Sequence, residues 1–136
     1  MAAEVWVTDA TAVTALGRNL EELWQRLLWG HSAIIPIERF SVKGYKSRFA
    51  ACIEDLNCRG PLSAIHDLLG RLYKEMGPIP TDARLYTATT KAGIDNLERL
   101  RRDEPVDTSD ILVDAIAKRV SRQLGLICTG TNISAA

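Results

Sequence analysis

The chain has 136 residues, 46% hydrophobic and 25% charged, which is the composition of an ordinary globular protein rather than a disordered, fibrous or low-complexity chain. Lysine plus arginine balances aspartate plus glutamate at 17 each, so there is no long-range attraction for nucleic acid or an anionic lipid surface. No apolar run approaches the roughly 18 residues of a membrane helix, and Met-Ala-Ala-Glu leads directly into a strand-like stretch without the profile of a signal peptide.

Val5-Trp6-Val7-Thr8-Asp9-Ala10 is rich in β-branched and aromatic residues and predicts a first strand, followed by a turn over residues 11–17. Asn19 stands three residues before Glu22, a pattern that starts helices because both side chains can satisfy orphan backbone N–H groups. Leu20, Leu23, Trp24, Leu27 and Leu28 form one apolar stripe on that helix, and Gly30 is placed to stop it. Residues 32–46, with Pro36 and Gly44, read as a long ordered loop, and residues 47–53 as a short strand. Pro61 opens a second helix whose face carries Leu62, Ile65, Leu68, Leu69, Leu72 and Met76, and Gly77-Pro78 ends it.

Arg84-Leu85-Tyr86-Thr87-Ala88-Thr89-Thr90 predicts a further strand, residues 93–101 a short helix, and residues 102–108 a charged loop. A fourth helix is expected over residues 109–124, with Leu112, Ala115, Ile116, Val120 and Leu124 on its apolar face and Gly125 as its stop. Gly130-Thr131-Asn132-Ile133-Ser134-Ala135-Ala136 reads as a strand of small residues, with neighbours packed close to its backbone on both sides. Alternating strands and helices predict an α/β fold with a mostly parallel sheet flanked by helices. Without an internal repeat or a linker, residues 1–136 read as one domain.

Cys52, Cys58 and Cys128 are odd in number and irregularly spaced, which fits reduced thiols in a cytoplasm, each packed as a small buried apolar group. Cys52 and Cys58 are six apart with no histidine near, so zinc is not expected, and no cofactor or metal site emerges.

Several segments together resemble the N-terminal part of the β-ketoacyl–acyl-carrier-protein synthases, the condensing enzymes of fatty-acid and polyketide synthesis, which have a thiolase-like fold. They are Val5-Trp6-Val7-Thr8-Asp9-Ala10-Thr11-Ala12-Val13-Thr14-Ala15-Leu16-Gly17, then Asn19-Leu20-Glu21-Glu22-Leu23-Trp24, Leu27-Leu28-Trp29-Gly30-His31-Ser32-Ala33-Ile34, Ile37-Glu38-Arg39-Phe40, Tyr45-Lys46-Ser47-Arg48-Phe49-Ala50-Ala51, Leu124-Gly125-Leu126 and the run from Gly130 to Ala136. The resemblance implies decarboxylative Claisen condensation of a carrier-bound acyl group with a malonyl group. It implies a nucleophilic cysteine directly after a strand like Ile133-Ser134-Ala135-Ala136, so this chain is expected to stop just before it. It also implies that two histidines and a lysine come from a C-terminal half. The chain alone is therefore expected to be inactive and to contain no catalytic residue. An acyl carrier protein is the implied partner, and a homodimer through the Gly130–Ala136 strand is the implied assembly.

Internal substitutes for the nucleophile read as structural. Cys128 precedes the last strand, on the far side from the expected helix start, and Ser134 lacks an identifiable base. His31 follows a helix-ending glycine and His66 lies on the polar side of the second helix, both as structural or solvated groups. Lys91 reads by default as an exposed lysine, with a phosphate-bearing carrier arm as its alternative contact; Arg99, Arg101 and Arg102 form a small basic cluster of the kind that receives an acidic carrier protein, a reading that the flanking Asp103 and Glu104 weaken. Two further readings stand beside the enzyme: a non-catalytic partner subunit or folding unit related to condensing enzymes, and a small-ligand-binding α/β module. The second needs a glycine-rich phosphate cradle, and the first strand-to-helix turn offers only Gly17.

Overall fold

A computed structural model describes residues 4–57, 60–89 and 91–134. The contacts cluster into two units, one of Met1–Leu56 with Gly70–Met76 and one of Asn57–Leu69 with Gly77–Ala136. No helix among the described residues is long and apolar enough to cross a membrane.

The first unit begins with helix α1, Leu20–Leu28. Asn19 caps it as the sequence anticipates, its Oδ1 accepting from the Glu22 N–H at 2.8 Å. Glu22 reaches one residue further back than in a capping box, accepting from the Arg18 N–H at 2.8 Å. Gly30, at φ +70°, closes the helix: its N–H donates to the Leu27 carbonyl and that of His31 to the Arg26 carbonyl, a bond pattern that needs a left-handed residue. Two three-residue strands follow, β1 (Ile34–Pro36) and β2 (Phe49–Ala51), paired antiparallel with Ile34 opposite Ala51 and Pro36 opposite Phe49. The expected loop over 32–46 thus begins with a strand, because the run of residues 47–53 supplies it with a partner.

Residues 5–10, expected as a strand, are not one. Trp6 is 78% exposed and Val7 87% exposed, and no ladder forms. β-propensity describes a side chain that suits a pleated surface; it does not supply the neighbouring backbone that makes an extended segment a strand.

Helix α2 spans Ile65–Glu75 and begins four residues after Pro61. In the second unit, strand β3 (Tyr86–Ala88) pairs in parallel with β4 (Thr131–Ile133), Tyr86 beside Thr131 and Ala88 beside Ile133. Parallel neighbours need a long crossover. Here it contains helix α3 (Ile94–Leu100), a 3₁₀ turn at Thr108–Ile111 and helix α4 (Ala115–Gln123).

The helix expected over 109–124 is therefore split. Asp107 caps the 3₁₀ turn by accepting from the Ser109 N–H, and Leu112 follows in extended backbone. Ile116, Ala117 and Val120 form the buried hydrophobic core among the described residues, whereas Leu112 is exposed. Gly125, at φ +65°, ends α4 as expected.

The fold is a small α/β arrangement of four helices and two two-stranded sheets among the described residues, one antiparallel and one parallel. A mostly parallel sheet does not form, because the first strand-forming segment is unpaired and β1 meets β2 antiparallel. The cysteine reading also needs correction: Cys52 and Cys128 are exposed rather than packed inside, since both lie in irregular segments at the ends of short strands. Cys58, Thr90, Ala135 and Ala136 lie outside the described residues.

Candidate functional site

In parallel α/β sheets, ligands are received at the carboxyl ends of the strands. At the middle of the ladder β3 and β4 are tied together by the Thr87 hydroxyl, which donates to Asn132 Oδ1 at 2.9 Å. Gly130 leads into β4 through a narrow gap. A Cβ there would stand 2.6 Å from Leu85 Cδ2, and the Gly130 N–H donates to Ser121 Oγ of α4 at 2.7 Å. The small residue predicted at the start of this strand suits the side chains that pack on it. Past β3, Thr89 Oγ1 accepts from the N–H groups of Lys91 and Ala92, and the turn passes through Ala92 at φ +45° into Gly93.

That turn is braced by a polar network that periodicity does not reveal. Ser63, Asn96 and Asp110 are fully buried. The Gly93 N–H donates to the Asp110 carbonyl at 2.9 Å, and a Cβ on Gly93 would come within 2.7 Å of that same oxygen. The Asp110 carboxylate lies 2.8 Å from His66 Nε2 through one oxygen and accepts from Arg119 at 2.8 Å through the other. A carboxylate only accepts, so His66 donates to it through Nε2.

The start of α2 is satisfied by acids from distant segments. The Ser63 N–H donates to Asp110 and the Ala64 N–H to Asp95 at 2.8 Å, while the Ile65 N–H reaches Ser63 Oγ. Negative charge at a helix N-terminus is stabilising, because the first N–H groups have no intrahelical acceptor. Asn96 Nδ2 donates to the carbonyls of Pro61 and Asp107, both at 3.0 Å, closing the network from beneath.

Serine, histidine and aspartate therefore meet here without forming a nucleophilic triad. Ser63 Oγ donates to Asp95 at 2.5 Å, so its proton is directed to a carboxylate rather than to an imidazole, and the hydroxyl has no exposed surface to offer a substrate. The geometry is that of a brace. The signal that could have disclosed it was the pair Asp107 and Asp110 ahead of α4.

The other residues singled out from sequence are dispersed. Arg99 is a structural clasp: it donates to Glu104 at 3.0 Å and to the carbonyls of Gly60, Leu62 and Pro105. It is therefore not available to a partner. Arg102 pairs with Glu104 at 3.1 Å near the surface, and Arg101 and Lys91 are exposed. His31 is exposed, with its ring against Trp29. Cys128 and Ser134 are exposed on either side of β4. Among the described residues, no group of three or more His, Cys, Asp or Glu side chains could hold a metal ion.

No family model matches the chain. Over 54 residues it is 35% identical to the 3-oxoacyl-[acyl-carrier-protein] synthase 2 of Vibrio harveyi, a stretch covering 40% of this chain and 13% of that protein. The protein of the same description from Vibrio cholerae is 32% identical over 59 residues, covering 43% and 14%. That from Coxiella burnetii is 34% identical over 53 residues, covering 39% and 13%. The chain thus spans about one seventh of the length of the curated relatives it matches, a distant and partial relation to these synthases.

Proposed function

We propose that the chain forms the N-terminal scaffold of a β-ketoacyl–acyl-carrier-protein synthase and does not itself carry the reacting groups. In the parent reaction a cysteine thiol takes an acyl group from a carrier thioester and releases the carrier thiol. A malonyl thioester then loses carbon dioxide, and its carbanion attacks the acyl carbon, forming the new C–C bond and freeing the cysteine. The cysteine needs a rigid platform, since a misplacement of an ångström costs rate steeply.

The observation that carries the reading is the parallel pairing of Tyr86–Ala88 with Thr131–Ile133, where Gly130 is wedged between Leu85 and Ser121. A strand held this closely, with Ser134 at its carboxyl end, is the kind of element that aims whatever residue comes after it. The similarity to 3-oxoacyl-[acyl-carrier-protein] synthase 2 proteins supports the same assignment. The compartment is the cytoplasm, where the exposed Cys52 and Cys128 stay reduced. An acidic carrier protein is the partner, approaching Lys91, Arg101 and Arg102. A second copy adds to the open edge of β4, since that strand has one ladder partner among the described residues.

The test is to mix the chain with acyl-loaded and malonyl-loaded carrier proteins and to follow 3-oxoacyl product by mass spectrometry and binding by calorimetry. Binding that weakens in an Arg101→Glu, Arg102→Glu variant, without product from the chain alone, is expected. Product from the chain alone would place a nucleophile inside it and end the scaffold reading. Absence of carrier binding would leave the second reading, a non-catalytic partner subunit, which the uncovered apolar stripe of α1 favours.

A further inference from the structure

The charged face of α1 borders a polar trough in the first unit. At about 100° per residue, Glu22 and Arg26 lie opposite the Leu20–Leu28 stripe, and Arg26 donates to Glu22 at 2.5 Å. Two adjoining cavities, of about 600 and 470 Å³, both have Arg26, Cys52 and Glu54 in their walls. Each is of a size that takes a small organic ligand. Cys52 follows β2 directly and is an exposed, free cysteine. The smaller cavity adds His31, and the larger adds Arg18, Asp55 and Arg71. We propose that this trough binds a small zwitterionic peptide disulfide and that Cys52 exchanges with it to form a mixed disulfide.

The lining selects this class of ligand. Three arginines and three acids face the larger cavity, Arg18, Arg26 and Arg71 against Glu22, Glu54 and Asp55. Asp55 is shared, one carboxylate oxygen accepting from Arg18 at 3.1 Å and the other from Arg71 at 2.8 Å. Two guanidiniums on one carboxylate leave an excess of positive charge, which suits a ligand carboxylate. Glu54, exposed in the wall common to both cavities, suits an ammonium. A polyanion would be repelled by Glu54, and an uncharged ligand would match neither group.

The exchange balances without another reactant. The Cys52 thiolate attacks one sulfur of the bound disulfide, and the old S–S bond breaks as the new one forms. The departing half leaves as a thiolate and takes up the proton that Cys52 gave up. Reverse exchange with the reduced thiol restores Cys52, so the modification follows the disulfide-to-thiol ratio of the compartment. The proposal does not rest on the condensing-enzyme reading.

The experiment uses the full chain with Cys58→Ser, so that the tryptic peptides of Cys52 and Cys128 each hold one thiol. Cys128, exposed in the other unit, is the internal comparator. Both rates are followed by mass spectrometry at low ionic strength with glutathione disulfide, whose halves each carry two carboxylates and an ammonium, and with uncharged hydroxyethyl disulfide. The uncharged probe reports exposure and intrinsic thiol reactivity alone. Relative to it, glutathione disulfide is expected to favour Cys52 over Cys128 about ten-fold, the product of two or three exposed charge contacts. Arg26→Gln lowers that preference about three-fold, with circular dichroism unchanged. Dithiodipropionate, which carries carboxylates without an ammonium, shows a smaller preference. Equal preference for the charged and uncharged disulfides, a preference untouched by Arg26→Gln, or one as large for dithiodipropionate overturns the proposal.

Discussion

Asp110, without exposed surface, holds its carboxylate 2.8 Å from His66 Nε2, and the two residues are 44 positions apart in the chain. The same carboxylate holds Arg119. Removing one member of such a set strands the others. Asp110→Asn is therefore expected to destabilise the second unit by about 3 kcal/mol, the magnitude found when a buried charge pair is broken. Urea denaturation read by circular dichroism measures it, and a change below experimental error would show that the network is idle.

Gly93 has no room for a methyl group, because its Cβ would lie 2.7 Å from the Asp110 carbonyl and 3.0 Å from Ser63. Both neighbours are backbone or fully buried, so neither yields cheaply. Gly93→Ala is expected to cost about 2 kcal/mol through overpacking. Gly70, whose Cβ would meet nothing within 4 Å, is the control: Gly70→Ala stabilises α2 by about 1 kcal/mol, the difference in helix propensity. The ordering of the two midpoints decides the matter.

Ser63 tests the distinction between a brace and a catalyst. Ser63→Ala removes the bond to Asp95 and is expected to cost about 1–2 kcal/mol, as for a buried polar group losing its partner. The unaltered chain is expected to resist a serine-directed fluorophosphonate at this position, because the hydroxyl is buried and its proton faces a carboxylate. Labelling at Ser63, located by peptide mapping, would contradict the assignment.

Acid should loosen the chain in a specific way. The Glu22 carboxyl is held below its ordinary value of 4.5, first by the Arg18 N–H and then by Arg26. Asp55 is held below 3.8 by Arg71, Asp107 by the Ser109 hydroxyl and N–H, and Asp114 by Lys118. A carboxyl whose folded value is depressed binds fewer protons when folded than when unfolded. Its contribution is complete above the unfolded value and is lost as pH falls through the folded one. Stability is thus expected to decline below about pH 4.5 and to be flat above it as far as these groups are concerned. Denaturation midpoints across that range measure the decline, and Glu22→Gln should make it shallower. A midpoint that rises on acidification would reverse the sign.

The parts of the molecule legible in its sequence are those whose hydrogen bonds close within about five residues. Asn19, Gly30 and Gly125 mark helix ends, and the ends are where those residues place them, because each cap closes on a backbone group about one turn away. Elements that depend on distant partners are less legible. Residues 5–10 have the composition of a strand and no strand beside them, whereas Ile34–Pro36 lies in a stretch with the composition of a loop and is a strand because residues 49–51 pair with it.

The order of the strand-forming and helix-forming segments, their caps and the partial likeness to 3-oxoacyl-[acyl-carrier-protein] synthase 2 proteins all belong to the sequence alone. Only the tertiary structure decided that β3 and β4 run side by side, that α4 begins after a 3₁₀ turn, and that Ser63, Asp95, His66 and Asp110 form one buried brace. The reason is physical. Side chains 31 to 47 residues apart share no periodicity, and burial without water is what obliges polar groups to find each other.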